Sequence, residues 1–249
     1  MQLNYLNKPY FENGAIKNIS QVLEEHGIKN PLICTDPGLA NIGMSDMIRN
    51  LLSNELSPSF YEDTPANPTE KAVNDALEIY KQNDCDGVIG FGGGSSMDLA
   101  KTVALMANHE GNVVDYSVNE GGVGKINQTM PMIAIPTTSG TGSEVSLGAV
   151  IIMNDGRKLI LASDHLRPTA AICDPELTLG LPPVLTAGAG MDALTHCIEA
   201  EMSPVIDPPA EAVGLDGIEK VVREESLIRA VKDGQDKDAR WNMMMASTE

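Results

Sequence analysis

The segment that most constrains this chain is an apolar run, Gly87-Val88-Ile89-Gly90-Phe91, that passes straight into Gly92-Gly93-Gly94-Ser95-Ser96-Met97-Asp98-Leu99-Ala100-Lys101. The run reads as a buried strand. Leu99, Val103 and Met106 then recur at helical spacing, so a helix starts at the glycines. Glycines let backbone approach a ligand without a Cβ in the way. A helix N-terminus adds free N–H groups and partial positive charge. Together these suit a pyrophosphate. The plainer reading is a tight strand-to-helix turn; three glycines and a serine after a buried strand favour phosphate. The spacing is not the usual G-x-G-x-x-G, and it follows the third strand read from the sequence rather than the first.

The surrounding pattern fits an α/β fold. Ile16, Ile19, Val22 and Leu23 give a helical stripe that stops at Gly27. Pro31 to Asp36 reads as a strand, and Leu39, Ile42, Met47 and Leu51 as one helical stretch. Ser59-Phe60-Tyr61 is a further strand. Asn67-Pro68 reads as the cap and first position of a helix striped by Val73, Ala76, Leu77 and Tyr80. Additional strands are expected over Met132–Ile135, Gly148–Met153, Leu159–Ala162 and Ala170–Cys173. Alternating strands and helices predict a mostly parallel, Rossmann-like sheet domain over 1–180. Residues 181–249 carry helical patterns only, with Leu215, Ile218 and Val222, then Leu227, Ile228 and Val231, as apolar stripes.

Charge narrows the partners. The net of −18 repels phosphate backbones, so nucleic acid and anionic membrane are not expected. No apolar run reaches the ~20 residues of a membrane span. Met1-Gln2-Leu3-Asn4-Tyr5 lacks the basic-then-apolar order of a signal peptide. Cys34, Cys85, Cys173 and Cys197 include no C-x-x-C pair and are expected to be reduced thiols, as in a cytoplasmic protein.

Three other features bear on chemistry. Asp36 ends a strand; a carboxylate there can accept from ribose hydroxyls and repels a 2′-phosphate, favouring NAD over NADP. It equally suits a plain Asp-Pro-Gly turn. Pro136-Thr137-Thr138-Ser139-Gly140-Thr141-Gly142-Ser143-Glu144 is a hydroxyl-rich loop able to bond phosphates and sugars, or simply water. Asp192 and His196, four apart, share a helix face and can meet one divalent ion. They can also form a simple charge pair, and a metal site normally needs three or four ligands.

Taken together, Gly92–Lys101, Pro136–Glu144, Asp174-Pro175-Glu176-Leu177 and Gly190–Glu199 resemble the iron-containing (group III) alcohol dehydrogenase family over essentially the whole chain. The resemblance implies a modified Rossmann domain followed by an all-helical domain, with the active site in the cleft between them. It implies that Asp36 contacts the adenosine ribose, and that Gly93, Gly94, Ser95 and Asp98 bind the pyrophosphate region. Asn67, Thr137, Thr138, Thr141, Lys158 and Leu179 would complete the NAD site. Asp192 and His196 would be two of four ligands to Fe2+, or Zn2+, which polarises a small alcohol or aldehyde for hydride transfer; no catalytic residue beyond the ligands is implied. The family commonly forms homodimers, and the oligomeric state of this chain is open. The family's other two ligands are histidines in a later His-rich stretch, whereas His26, His109 and His165 all precede His196. The helical domain is therefore expected to be incomplete, with an apolar end exposed at Trp241 and Met243-Met244-Met245. Alternatives are a zinc-dependent glycerol or polyol dehydrogenase and a non-catalytic nucleotide-binding fragment.

Overall fold

The structure, a computed structural model, describes residues 7–205 and 207–249. Met1 to Tyr5, read above for a signal peptide, lie outside the described residues. The chain divides into two compact units. The first comprises residues through Tyr10, Ala15–Ile135 and Ser143–Ile172; the second comprises Phe11–Gly14, Pro136–Gly142 and Cys173–Glu249.

The first unit is built on a six-stranded sheet. Its strands are β1 (Lys8–Phe11), β2 (Pro31–Cys34), β3 (Ser59–Tyr61), β4 (Gly87–Gly92), β5 (Met132–Pro136) and β8 (Ala170–Cys173), in the order β1-β8-β5-β4-β2-β3. β2 runs parallel to both β3 and β4, and β5 runs parallel to β8. The sheet is mostly parallel and covered by helices, as expected. β2, β4, β5 and β8 are buried at every position, which is why they read as unbroken apolar runs. Two further strands, β6 (Gly148–Ile152) and β7 (Lys158–Ala162), form a separate antiparallel hairpin.

Helices α1 (Ile19–Glu25), α2 (Pro37–Asn41), α3 (Met44–Leu51), α4 (Glu70–Gln82) and α5 (Gly94–Met106) complete this unit. Two boundaries differ from the sequence expectation. The stretch from Leu39 is two helices, because Gly43 takes a left-handed backbone at φ 81, a conformation that ends one helix before the next begins. The cap of α4 is Thr69, whose side chain accepts from the Ala72 N–H, and not Asn67. Pro68 instead offers its carbonyl to the Ile152 N–H at 2.9 Å. The α4 stripe of Val73, Ala76, Leu77 and Tyr80 is buried as predicted.

The second unit is helical: α6 (Pro183–Met202), α7 (Pro208–Ile218), a π-helical turn over Glu219–Arg223, α8 (Ser226–Lys232) and α9 (Lys237–Thr248). Its core gathers Val221, Ala230, Ala239, Met243 and Ala246, with Leu194 and Leu227 against them. The exposed apolar end expected at Trp241 to Met245 is not there. Met243 and Met244 are buried, and Trp241 meets Phe11 edge-on at 5.2 Å between ring centroids. Partners supplied by α6, α8 and the π turn fill the space beside α9. The stripe read on α7 is also corrected. Leu215 and Val222 face outward, while Gly214, Gly217 and Val221 are buried. A Cβ at Gly217 would sit 2.6 Å from Cys197 Sγ, so the contact with α6 depends on glycine. Among the described residues, no helix is long and apolar enough to cross a membrane. None of the four cysteines forms a disulfide.

Candidate functional site

The turn from β4 into α5 is shaped by Gly92. Its φ is +148, and a Cβ there would lie 2.6 Å from Ser96 Oγ and 3.4 Å from Asp36 Oδ2. Only glycine takes this backbone cheaply. The helix then begins at Gly93 without a side-chain cap and without an acidic residue in its first turn. Its first amides therefore have no side chain competing for them. Ser96 Oγ is buried and has no hydrogen-bond partner. An uncapped N-terminus, a glycine held where a Cβ would clash, and an orphaned hydroxyl in the first turn fit a bound pyrophosphate.

Two loops are drawn toward this turn. Asp36 follows β2, the sheet neighbour of β4. Its Oδ1 accepts from the N–H groups of Gly38 (2.9 Å) and Leu39 (3.1 Å) and so caps α2. Its Oδ2 is the oxygen nearer Gly92. The cap on α2 thus uses Oδ1. Ser95 Oγ donates to the Ala66 carbonyl at 2.6 Å, which fastens the 66–67 segment to the first turn of α5. Asn67 Oδ1 accepts from Lys158 Nζ at 3.3 Å. Asn67 and Lys158, 91 positions apart in sequence, are therefore brought together, and both are exposed.

Asp98 is held differently. Its Oδ1 accepts from Ser143 Oγ at 2.8 Å and its Oδ2 from the Val150 N–H at 2.9 Å. Burial raises its pKa, against the pull of Lys101 and of these donors. Both oxygens thus already have partners within the protein. Lys101, three residues on, is almost fully buried. Its Nζ donates to Ser146 O and Oγ, both at 3.0 Å, and to Gly148 O at 2.8 Å. Desolvation pulls its pKa down to about 8, opposed by Asp98 and Glu144. Sequence reading gave neither Ser96 nor Lys101 a role. A lysine inside an otherwise apolar helix stripe was the available signal for the second.

In the second unit, the Pro136–Gly142 loop lies on α6 and α9. A Cβ at Gly140 would come within 2.7 Å of Ala189 O, and one at Gly142 within 2.8 Å of Ser247 O. Thr137 is buried, Thr138 half-buried and Thr141 exposed. Leu179 is half-buried, and its carbonyl accepts from Gln235 Nε2 at 3.1 Å. Asp192 and His196 lie on α6 with Oδ1 and Nε2 3.8 Å apart, both side chains about half exposed. One ion could touch both. Yet among the described residues no group of three or more His, Cys, Asp or Glu side chains could hold a metal. Two donors fall short of the three or four protein ligands of a resident iron or zinc, so the donor set present does not fit a complete metal centre.

The sequence model of iron-containing alcohol dehydrogenase matches residues 7–175, and that of the C-terminal part of the same family matches 186–248. A 4-hydroxybutyrate dehydrogenase of Cupriavidus necator is 47% identical over 246 residues, covering 98% of this chain and 64% of that protein. The crystal structure of a 1,3-propanediol oxidoreductase superposes with a TM-score of 0.93 at 32% identity, covering 100% of this chain and 65% of that one. That of a sulfoacetaldehyde reductase from Bifidobacterium kashiwanohense, in complex with NAD+, gives 0.91 at 30% identity, covering 100% and 65%. The chain thus spans less than two thirds of the length of these relatives. Two family models that together take in most of its residues settle its kinship: the chain belongs to the iron-containing alcohol dehydrogenase family.

Proposed function

We propose that this chain supplies the dinucleotide-binding part of an oxidoreductase that moves a hydride between NAD and a small alcohol or its aldehyde. The observation that carries the reading is the β4–α5 turn, with Gly92 at φ +148 and the buried, unpartnered hydroxyl of Ser96. Gly93, Gly94 and Ser95 would hold the pyrophosphate through backbone N–H groups. Asp36 Oδ2 would accept from the adenosine ribose, and its negative charge would disfavour a 2′-phosphate. The Asn67–Lys158 pair would contact the dinucleotide at the edge of the same unit. Thr137, Thr138, Thr141 and Leu179 are proposed as further cofactor contacts on the strength of the family kinship alone. When bound, NAD supplies the carbon that accepts or gives the hydride.

Kinship at 47% identity makes 4-hydroxybutyrate, a primary alcohol bearing a carboxylate, the first substrate to test. The two family models favour the iron-containing reading over the zinc-dependent polyol one. Asp192 and His196 are proposed as metal ligands of the family's kind, as two donors of a larger set. Fluorescence titration of the purified chain with NADH and NADPH tests the proposal. Saturable NADH binding, tighter than NADPH, is expected, with loss of binding in Gly93→Val. Absence of NADH binding would rule the reading out.

A further inference from the structure

The strand β6 has two edges with different partners. One pairs with β7, placing Val150 opposite Ile160 and Ile152 opposite Lys158. Among the described residues the other carries no strand, only a single bridge from Ile152 to Thr69. Alternate residues of an antiparallel strand present their N–H and C=O groups to the same edge. On this open edge every second residue finds a partner outside any sheet. Gly148 O accepts from Lys101 Nζ at 2.8 Å. The Val150 N–H donates to Asp98 Oδ2 at 2.9 Å. The Ile152 N–H donates to Pro68 O at 2.9 Å. Two charged side chains of α5, three residues apart and so on one helix face, thus take the place of a neighbouring strand.

This is a costly way to close an edge. The Lys101 ammonium is buried among three neutral oxygens, and desolvation pulls its pKa down to about 8. Open edges are ordinarily blunted with exposed charges or short strands. Side chains that reach one N–H and one C=O two residues apart also fix register, since a one-residue slip would turn both groups away. What the register delivers lies at the far end of the hairpin. Lys158, opposite Ile152, meets Asn67, and Asn67 follows the residue that Ser95 holds to the first turn of α5.

We propose that Asp98 and Lys101 are positioning residues: they lock the β6–β7 hairpin in register on α5 so that Lys158 and Asn67 meet beside the dinucleotide cradle. Asp98 therefore acts through Val150 and Ser143 and does not touch phosphate. The proposal rests on the dinucleotide reading above, and a double-mutant cycle on NADH affinity separates the two.

The full chain, Lys101→Met, Lys158→Met and the double variant are titrated with NADH by fluorescence. Each single substitution is expected to weaken binding about tenfold, the scale of one lost charge-assisted contact. The double variant is expected to bind as Lys158→Met does, because Lys101 acts through Lys158. Losses that multiply to about a hundredfold, as independent sites do, would overturn the proposal while leaving the dinucleotide reading intact. No NADH binding by the unmodified chain would overturn both. If Lys101→Met does not fold by circular dichroism, Asp98→Asn takes its place in the cycle, with the same two outcomes.

Discussion

Gly92→Ala tests the architecture of the cradle most directly. Alanine at φ +148 occupies backbone that is essentially glycine-only, at a cost of about 1–3 kcal/mol. Its Cβ would then stand 2.6 Å from Ser96 Oγ and 2.9 Å from Ser96 Cβ. Ordinary contact needs more than that, so the first turn of α5 must move. Overpacking of this kind costs about 1–3 kcal/mol more. A combined loss of about 4 kcal/mol lowers Tm by roughly 8–16 °C in a chain of this size. Gly27→Ala isolates the backbone term, because Gly27 has φ +71 and nothing within 4 Å of its Cβ position; about 1–2 kcal/mol is expected there. Melting curves of both variants, with NADH titrations beside them, give the comparison. Gly92→Ala should melt lower than Gly27→Ala and lose NADH affinity, whereas Gly27→Ala should keep it. Equal melting temperatures with unchanged NADH affinity in both would refute the claim that Gly92 shapes a ligand site.

Three other outcomes are expected. Asp36→Ser keeps a side-chain oxygen to cap α2 but removes the carboxylate, so Tm should hold while NADH affinity falls and the preference over NADPH narrows; unaltered selectivity in paired titrations would argue against the ribose role. Lys101 has a folded pKa lowered from 10.5 to about 8 by burial, with Asp98 and Glu144 opposing and Arg167 reinforcing. Between those values the unfolded chain holds a proton that the folded one has lost, so this group makes stability rise with pH across that window. Urea unfolding of the unmodified chain and of Lys101→Met at several pH values should show that slope only in the former, a comparison that also cancels the opposite pull of buried Tyr61 and Tyr80. Dialysis against Fe2+ or Zn2+ followed by elemental analysis should leave well under one metal per chain, since among the described residues no third His, Cys, Asp or Glu joins Asp192 and His196 in a group that could hold a metal; one tightly held equivalent, lost in His196→Ala, would show that the donor set is larger than this pair.

The fold was legible where side-chain chemistry and backbone period coincide. β2, β4, β5 and β8 are buried on both faces, so hydrophobic runs announce them. β1 was not read, because Lys-Pro-Tyr-Phe at a sheet edge is half-exposed and has no such run. On α7 the periodicity argument pointed to the wrong face. It sought large apolar residues and found Leu215 and Val222, while the helix approaches α6 through Gly214 and Gly217. Hydrophobic periodicity cannot register a face whose contribution is a missing side chain. The expected exposure around Trp241 to Met245 failed for a related reason. An incomplete helical domain implies missing partners, yet Phe11, Val221 and α8 supply them.

At the proposed site a local motif marks the glycine turn, whereas the partners of Asp98 lie far off in sequence. The glycine turn needs no distant partner to be recognised: a strand, three glycines and a helix stripe define it locally. Asp98 has the same local credentials, an acid in the first turns of a cradle helix, yet its two oxygens are engaged by Ser143 and Val150, some fifty residues away. Lys101 looked like the polar end of a motif and is among the most buried large side chains of the chain. What distinguishes these residues from ligand-binding ones is whether an unsatisfied backbone group lies within reach, and the open edge of β6 is a property of topology that no local window contains. The Asn67–Lys158 pair shows the converse. Two exposed residues with weak individual signals are set together by the hairpin register, so the proposed contact surface depends on the register of β6 on α5 more than on any single polar side chain in it.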